Sequence, residues 1–121
     1  MKALLFVFLG GGAGSILRYV VSKSLNDVHQ NFPVGTFVAN SLGSLLIGIL
    51  IGLAMKNKWV TEPLSLLLIT GFCGGFTTFS TFAYENHVLL KDGNLLYLAA
   101  YTLISVVIAI LLVFFGAWLT K

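Results

Sequence analysis

The chain has 121 residues, of which 58% are hydrophobic and 9% charged, with a mean hydropathy of +0.99. A soluble domain carries about 25% charged residues, so this chain has too few to cover a water-facing surface, and a membrane is its expected environment. The net charge of +3 is too slight and scattered for a nucleic-acid surface, and the single cysteine, Cys73, excludes an intrachain disulfide and a multi-cysteine metal site.

Four apolar runs follow in chain order, at about residues 3–21, 32–55, 63–90 and 95–119. Each has roughly the 20 residues a membrane-spanning helix needs. They predict an all-α membrane protein with four transmembrane helices, organised as a single integral-membrane domain over residues 1–121. The first run, Ala3 to Val21, holds one charge, Arg18, near its end. Its opening, MKALLFVFLGGGAG, has the lysine, apolar core and small residues of a signal peptide, but the apolar run continues to Val21, which favours a retained span. Gly10, Gly14 and Arg18 share one helical face. Two readings of Arg18 stand: pointing inward, or snorkelling to the membrane surface.

The second run contains Thr36, Asn40, Ser44, Gly48 and Gly52, one every four residues. Steps of four trace a slanted stripe on a helix. Asn40 is its notable member, a carboxamide too deep for water to serve cheaply. The stripe either packs helices, with Asn40 bonded to a neighbour's backbone, or lines a polar path.

The third run carries GFCGGFTTFSTF, residues 71 to 82. Gly71, Gly74 and Gly75 each disfavour a helix by about 1 kcal/mol relative to Ala, and the expected result is a break near mid-membrane. Backbone groups freed by a break must be satisfied by protein, water or an ion, and transporter sites use such breaks to hold ions. Phe79 and Phe82 share a face. The hydroxyls either bond back to their own helix or face a path. In the fourth run Tyr101 and Ser105 lie four apart on one face, beside Thr102. Tyr101 is deeper than an interfacial belt position.

Asp27, Glu62, Glu85 and Asp92 lie at or near span ends, and the first, second and fourth runs hold no carboxylate. A proton-coupled exporter usually needs one within the membrane, and a cation channel uses acidic rings or a carbonyl filter. The embedded groups here are hydroxyls, an amide and phenyl rings. Hydroxyls and N–H groups donate to anions, and phenyl edges are the positive part of the ring quadrupole. The chemistry leans toward a small anion.

Four spans place both termini on one side. Lys2, Lys56, Lys58 and Lys121 fall there, against Arg18, Lys23 and Lys91 on the other. The near tie leaves the positive-inside rule undecided: it permits insertion both ways, or a fixed orientation set by a helper or by one dominant charge. The pairs Gly10–Gly14, Gly48–Gly52 and Gly71–Gly75 have GxxxG spacing and suggest self-association or close packing within one subunit. Four short helices can hardly enclose a pathway alone, so conduction would call for an oligomer.

The stretches GGGAGSILRY, GTFVANSLGSLLIG and GFCGGFTTFSTFAYE closely resemble the signature segments of the Fluc/CrcB fluoride channels, and Tyr101 and Ser105 match their fourth helix. The resemblance covers nearly the whole chain. It implies an antiparallel, dual-topology homodimer in the cell inner (plasma) membrane, with two separate fluoride pores. A structural sodium ion on the dimer axis would be held by the backbone carbonyls of Gly74 and Thr77. Phe79 and Phe82 would turn ring edges to fluoride, and Asn40 would donate to the ion. Thr36, Tyr101, Ser105 and Ser80 would belong to the polar pathway, with Glu85 toward its end and Arg18 near the vestibule. The task implied is passive export of cytoplasmic fluoride, without enzymatic activity.

Two other readings fare less well. A small multidrug exporter would need an embedded glutamate in the first helix, and Ala3 to Val21 has none. A non-transporting helper would leave Asn40, Tyr101 and the phenylalanine pair without a shared purpose. GGGAGS is not a dinucleotide loop, because Ser15 stands at the last glycine position of that motif and the run lies in a membrane helix.

Overall fold

The computed structural model describes residues 1–27, 31–57 and 60–121. Lys58, one of the lysines weighed in the charge balance, lies outside the described residues. Among those described, all regular structure is helical: α1 (Lys2–Leu25), α2 (Val34–Asn57), α3 (Glu62–Ser65), a π-helical stretch (Leu66–Cys73), α4 (Gly74–Phe76), α5 (Ser80–Lys91) and α6 (Leu95–Leu119). The elements from α3 to α5 follow one another as a single span. Four helices are therefore long and apolar enough to cross a membrane: Lys2–Leu25, Val34–Lys56, Glu62–Lys91 and Leu95–Leu119. The all-helical, four-span expectation agrees with this, and the protein is a multi-pass membrane protein. Large apolar side chains such as Phe8, Ile16, Leu96 and Phe114 are exposed, which suits lipid rather than water.

Local sequence marks the ends of the elements. Pro63 sits in the first turn of α3, where a missing N–H costs nothing, and Glu62 beside it complements the helix dipole. After α5, Gly93 takes φ +76°. Its N–H donates to the Leu90 carbonyl, and the Asn94 N–H donates to that of Leu89. This is a Schellman turn, and it delivers the chain directly into α6.

α1 packs along the third span, and α2 packs along α6. Glycine makes both approaches possible. A Cβ on Gly10 would strike the carbonyl oxygen of Leu67, and one on Gly14 that of Phe72. From the other side, a Cβ on Gly71 would meet the Gly10 Cα at 2.9 Å, and one on Gly75 the Gly11 carbonyl oxygen. The glycines on α1 are four residues apart, whereas the two carbonyls they seat are five apart. A π turn takes one residue more than an α turn, so the π-helical stretch brings carbonyls five apart into register with glycines four apart. The segment LLLITGFC carries no sequence signal for this. On the other side of the subunit, a Cβ on Gly48 would strike the Val113 carbonyl oxygen, and one on Gly52 the Thr120 hydroxyl.

The three glycine pairs, which suggested self-association, are thus all used inside one subunit. Any contact between subunits must rest on other surfaces.

Candidate functional site

Helical hydrogen bonding stops after α4. The Thr77 N–H still donates to the Cys73 carbonyl, at 3.0 Å, and so does its hydroxyl, at 2.9 Å. Thr77 itself is extended, with φ −84° and ψ 155°, and α5 begins at Ser80. The end of any helix leaves carbonyls without donors, and in a membrane they need partners.

Asn40 on α2 supplies two of the missing bonds. Its Nδ2 donates to the Thr78 carbonyl at 3.1 Å, and its Oδ1 accepts the Thr78 N–H at 2.8 Å. The carboxamide thus pairs with the Thr78 peptide as a neighbouring strand would. One N–H of the amide remains for another acceptor. The Thr78 hydroxyl accepts the Thr81 N–H at 3.2 Å, capping the first turn of α5. Gly43, one turn from Asn40, leaves room for the Thr77 methyl group, which a Cβ there would displace.

Arg18 meets the interruption from α1. Its Nε donates to the Gly75 carbonyl at 2.9 Å, and the Ser15 hydroxyl shares that acceptor at 3.5 Å. The guanidinium therefore points inward, to the end of α4, where a cation is favoured by the helix dipole. Among the described residues no donor reaches the carbonyls of Gly74 or Thr77. Nothing stands within 4 Å of where a Gly74 Cβ would be.

Beside the interruption lies an open-sided groove of about 540 Å³, whose lining includes Asn40, Gly74, Thr77, Phe79, Phe82 and Ser105. Among the described residues, no charged side chain lines it. Arg18 and Ser80 are not part of its wall, and Ser80 is exposed. Phe79 is 80% exposed, and its ring centroid is 5.8 Å from that of Phe82, at an interplanar angle of 44°. The Phe82 ring continues to Tyr101, at 5.0 Å.

A second tier lies one turn further along both α2 and α6. Here Thr36, Tyr101 and Glu85 meet. Thr36 and Tyr101 are fully buried. The Tyr101 hydroxyl donates to Glu85 Oε1 at 3.4 Å. The Thr36 hydroxyl lies beside both residues without a well-aligned hydrogen bond of its own. In the upper tier the Ser105 hydroxyl is likewise buried without a partner. Buried hydroxyls nearly always find partners; Thr36 has Glu85 and Tyr101 within reach, whereas among the described residues Ser105 has no partner.

The structure therefore gathers seven expected residues, Asn40, Gly74, Thr77, Phe79, Phe82, Ser105 and Tyr101, around one groove and its continuation, and adds Thr36 and Glu85 at the far tier. It leaves Ser80 aside and turns Arg18 to the back of the interruption. Asn86 escaped the sequence analysis. Its Nδ2 donates to the Phe82 carbonyl at 3.1 Å, and its Oδ1 accepts from the Thr102 hydroxyl at 3.0 Å. A lone amide one residue past Glu85 gives no signal of its own.

A family model described as CrcB-like protein, Camphor Resistance (CrcB), matches residues 5–117. The chain belongs to the CrcB-like family. Its CrcB-like relatives match from end to end. One from Azobacteroides pseudotrichonymphae, named fluoride-specific ion channel FluC, is 45% identical over 100% of this chain and 98% of its own length. A protein of the same name from Gloeothece citriformis is 46% identical over 100% of this chain and 98% of its own. A third, from Phocaeicola vulgatus, is 45% identical over the full length of both chains.

Proposed function

We propose that this CrcB-like chain is a fluoride-selective passive channel that exports cytoplasmic fluoride and lowers its toxicity. The observation that carries the reading is the end-to-end likeness to proteins named fluoride-specific ion channel FluC. The site chemistry supports it. Fluoride is small and strongly hydrated, so a pathway must replace its shell with close donors. The groove offers the free Asn40 N–H, the Ser105 hydroxyl and the edges of Phe79 and Phe82, and in the second tier the Thr36 hydroxyl stands beside a Tyr101 hydroxyl that donates to Glu85. These groups are donors with no fixed cation among them, so an anion would be held without being trapped. Arg18, held through Nε behind the interruption, would favour anions by its charge from outside the groove wall.

The groove is open on one side, and Phe79 stands almost bare beside it. Polar groups at membrane depth have to be covered by protein or water, and a second subunit would cover these. The reading is an antiparallel, dual-topology homodimer in the cell inner (plasma) membrane, with two pores that each draw on both subunits. The interruption after α4 would lie near mid-membrane. The near tie of Lys and Arg between the two sides fits insertion in both orientations.

The chemistry at the interruption also fits a structural sodium ion. The unpaired carbonyls of Gly74 and Thr77 are hard oxygen donors of the kind such cations take, and the space beside Gly74 is open. Two such carbonyls from each subunit would meet on the dimer axis. The bound ion would neutralise carbonyls that the interruption leaves without donors, and it would stay off the anion route.

Purified protein reconstituted in liposomes is expected to release fluoride rapidly and chloride hardly at all, and the release should weaken when sodium is removed throughout purification. Equal release of both halides overturns the channel reading, and release indifferent to sodium removes the cation from it. A cysteine placed near each terminus in turn should be labelled from both sides of one membrane. Labelling from a single side would reject dual topology.

A further inference from the structure

Tyr101 and Thr102 are adjacent on α6, and Glu85 and Asn86 are adjacent on α5. Each pair makes one cross-link. The Tyr101–Glu85 bond is long, at 3.4 Å, at the weak end of hydrogen-bond geometry. The Thr102–Asn86 bond is 3.0 Å. Successive helical residues point about 100° apart, so the two bonds grip α5 on different sides. Together they set its rotation as well as its distance from α6.

The second bond reaches the Phe82–Tyr101 ring contact directly. Asn86 Nδ2 holds the carbonyl of Phe82 at 3.1 Å, and the Phe82 ring lies 5.0 Å from that of Tyr101. A single carboxamide thus joins the backbone of one ring-bearing residue to the residue next to the other. α5 starts just after the interruption, so helical hydrogen bonding from α4 does not fix its rotation. A loosened helix would leave Phe82 and Tyr101 free to separate and admit a larger halide.

We propose that Asn86 and Thr102 are a positioning pair for the ion pathway, setting the Phe82–Tyr101 gap and through it the preference for fluoride over chloride. This rests on the channel reading above. Neither side chain lines the groove; Asn86 acts through the Phe82 carbonyl and Thr102 through its chain neighbour Tyr101.

The test compares Thr102→Val, Thr102→Ser, Asn86→Leu and the double variant Asn86→Leu/Thr102→Val, each reconstituted in liposomes with fluoride and chloride release measured. Thr102→Val and Asn86→Leu should each lower the fluoride-to-chloride ratio by about fivefold, the worth of one net hydrogen bond. Thr102→Ser keeps the hydroxyl and should retain the ratio. The double variant should fall no further than Asn86→Leu, which already removes the Thr102 bond together with its own bond to Phe82. A second measurement does not depend on conduction: a 4-fluorophenylalanine placed at position 82 should give one sharp fluorine resonance in the parent and in Thr102→Ser, and a shifted or broadened one in Thr102→Val. An unchanged ratio in Thr102→Val overturns the proposal, as does Thr102→Ser falling as far as Thr102→Val, or additive losses in the double variant. If the parent protein passes both halides equally, the channel reading fails, and the fluorine signal alone decides whether the pair positions the ring.

Discussion

Asn40→Leu is expected to lower fluoride release by at least about tenfold, because it strips both partners from the Thr78 peptide and leaves a membrane-buried N–H and C=O at a cost of about 1–3 kcal/mol each. Leucine keeps the branching of asparagine at Cγ, although its two methyl groups are bulkier than the amide, and both bonds at 2.8 and 3.1 Å are lost. With nothing to hold it, the Thr78 peptide would seek other partners, and Thr78 also caps α5 through its hydroxyl. Phe79 and Phe82 would lose their mutual geometry, and the donor that Asn40 keeps free for an anion would vanish with it. Asn40→Asp discriminates further. It retains an acceptor for the Thr78 N–H but has no donor for the carbonyl when ionised, and it brings a negative charge into a groove that holds none. Both variants should lose release, and thermal unfolding in detergent should show Asn40→Leu folded but less stable. Release from Asn40→Leu at the parent rate would show that the interruption does not need the carboxamide.

The second large effect concerns assembly of the subunit. Gly14→Val is expected to abolish recovery of folded protein, whereas Gly12→Val, two residues away on the same helix, is expected to be tolerated. A Cβ on Gly14 would strike the Phe72 carbonyl oxygen and stand 2.8 Å from the Phe76 amide nitrogen. Both are backbone atoms, and neither can rotate aside as a side chain can. Overpacking a core typically costs about 1–3 kcal/mol, and here the strain falls on the junction that leads into the interruption. Gly12 faces open space, with nothing within 4 Å of its Cβ position. Size-exclusion profiles of the two variants after membrane extraction should therefore differ sharply. Equal yields of monodisperse protein would mean that α1 can move away from the third span at little cost.

Much of the site was readable because membrane burial makes polar residues conspicuous. Asn40, Tyr101 and Ser105 stand out against apolar runs, and the glycines before Thr77 point to weak helix. What could not be read was which group each residue meets. Asn40 had two open readings, a packing bond and a pathway donor. In the structure its carboxamide holds a backbone peptide at the interruption and still retains one donor. Arg18 could have snorkelled to the surface, but its Nε is bound to Gly75. The glycine pairs looked equally suited to a partner subunit and to a neighbouring helix, because spacing specifies that a close approach occurs and leaves its target open. Asn86 was passed over because its importance lies in reaching both Phe82 and Thr102, contacts that no local pattern encodes.

The sequence by itself determined the environment, the number of spans and the chemical character of the embedded groups. These follow from hydropathy and residue type, which act locally and survive any arrangement of the helices. Tertiary structure alone decided the pairing of α1 with the third span through a π-helical register, the capture of the Thr78 peptide by Asn40, and the meeting of Thr36, Tyr101 and Glu85 in one tier. Each of these depends on the rotation and offset of one helix against another. Those quantities are set by the sum of many packing contacts between distant segments, and no stretch of sequence states them singly.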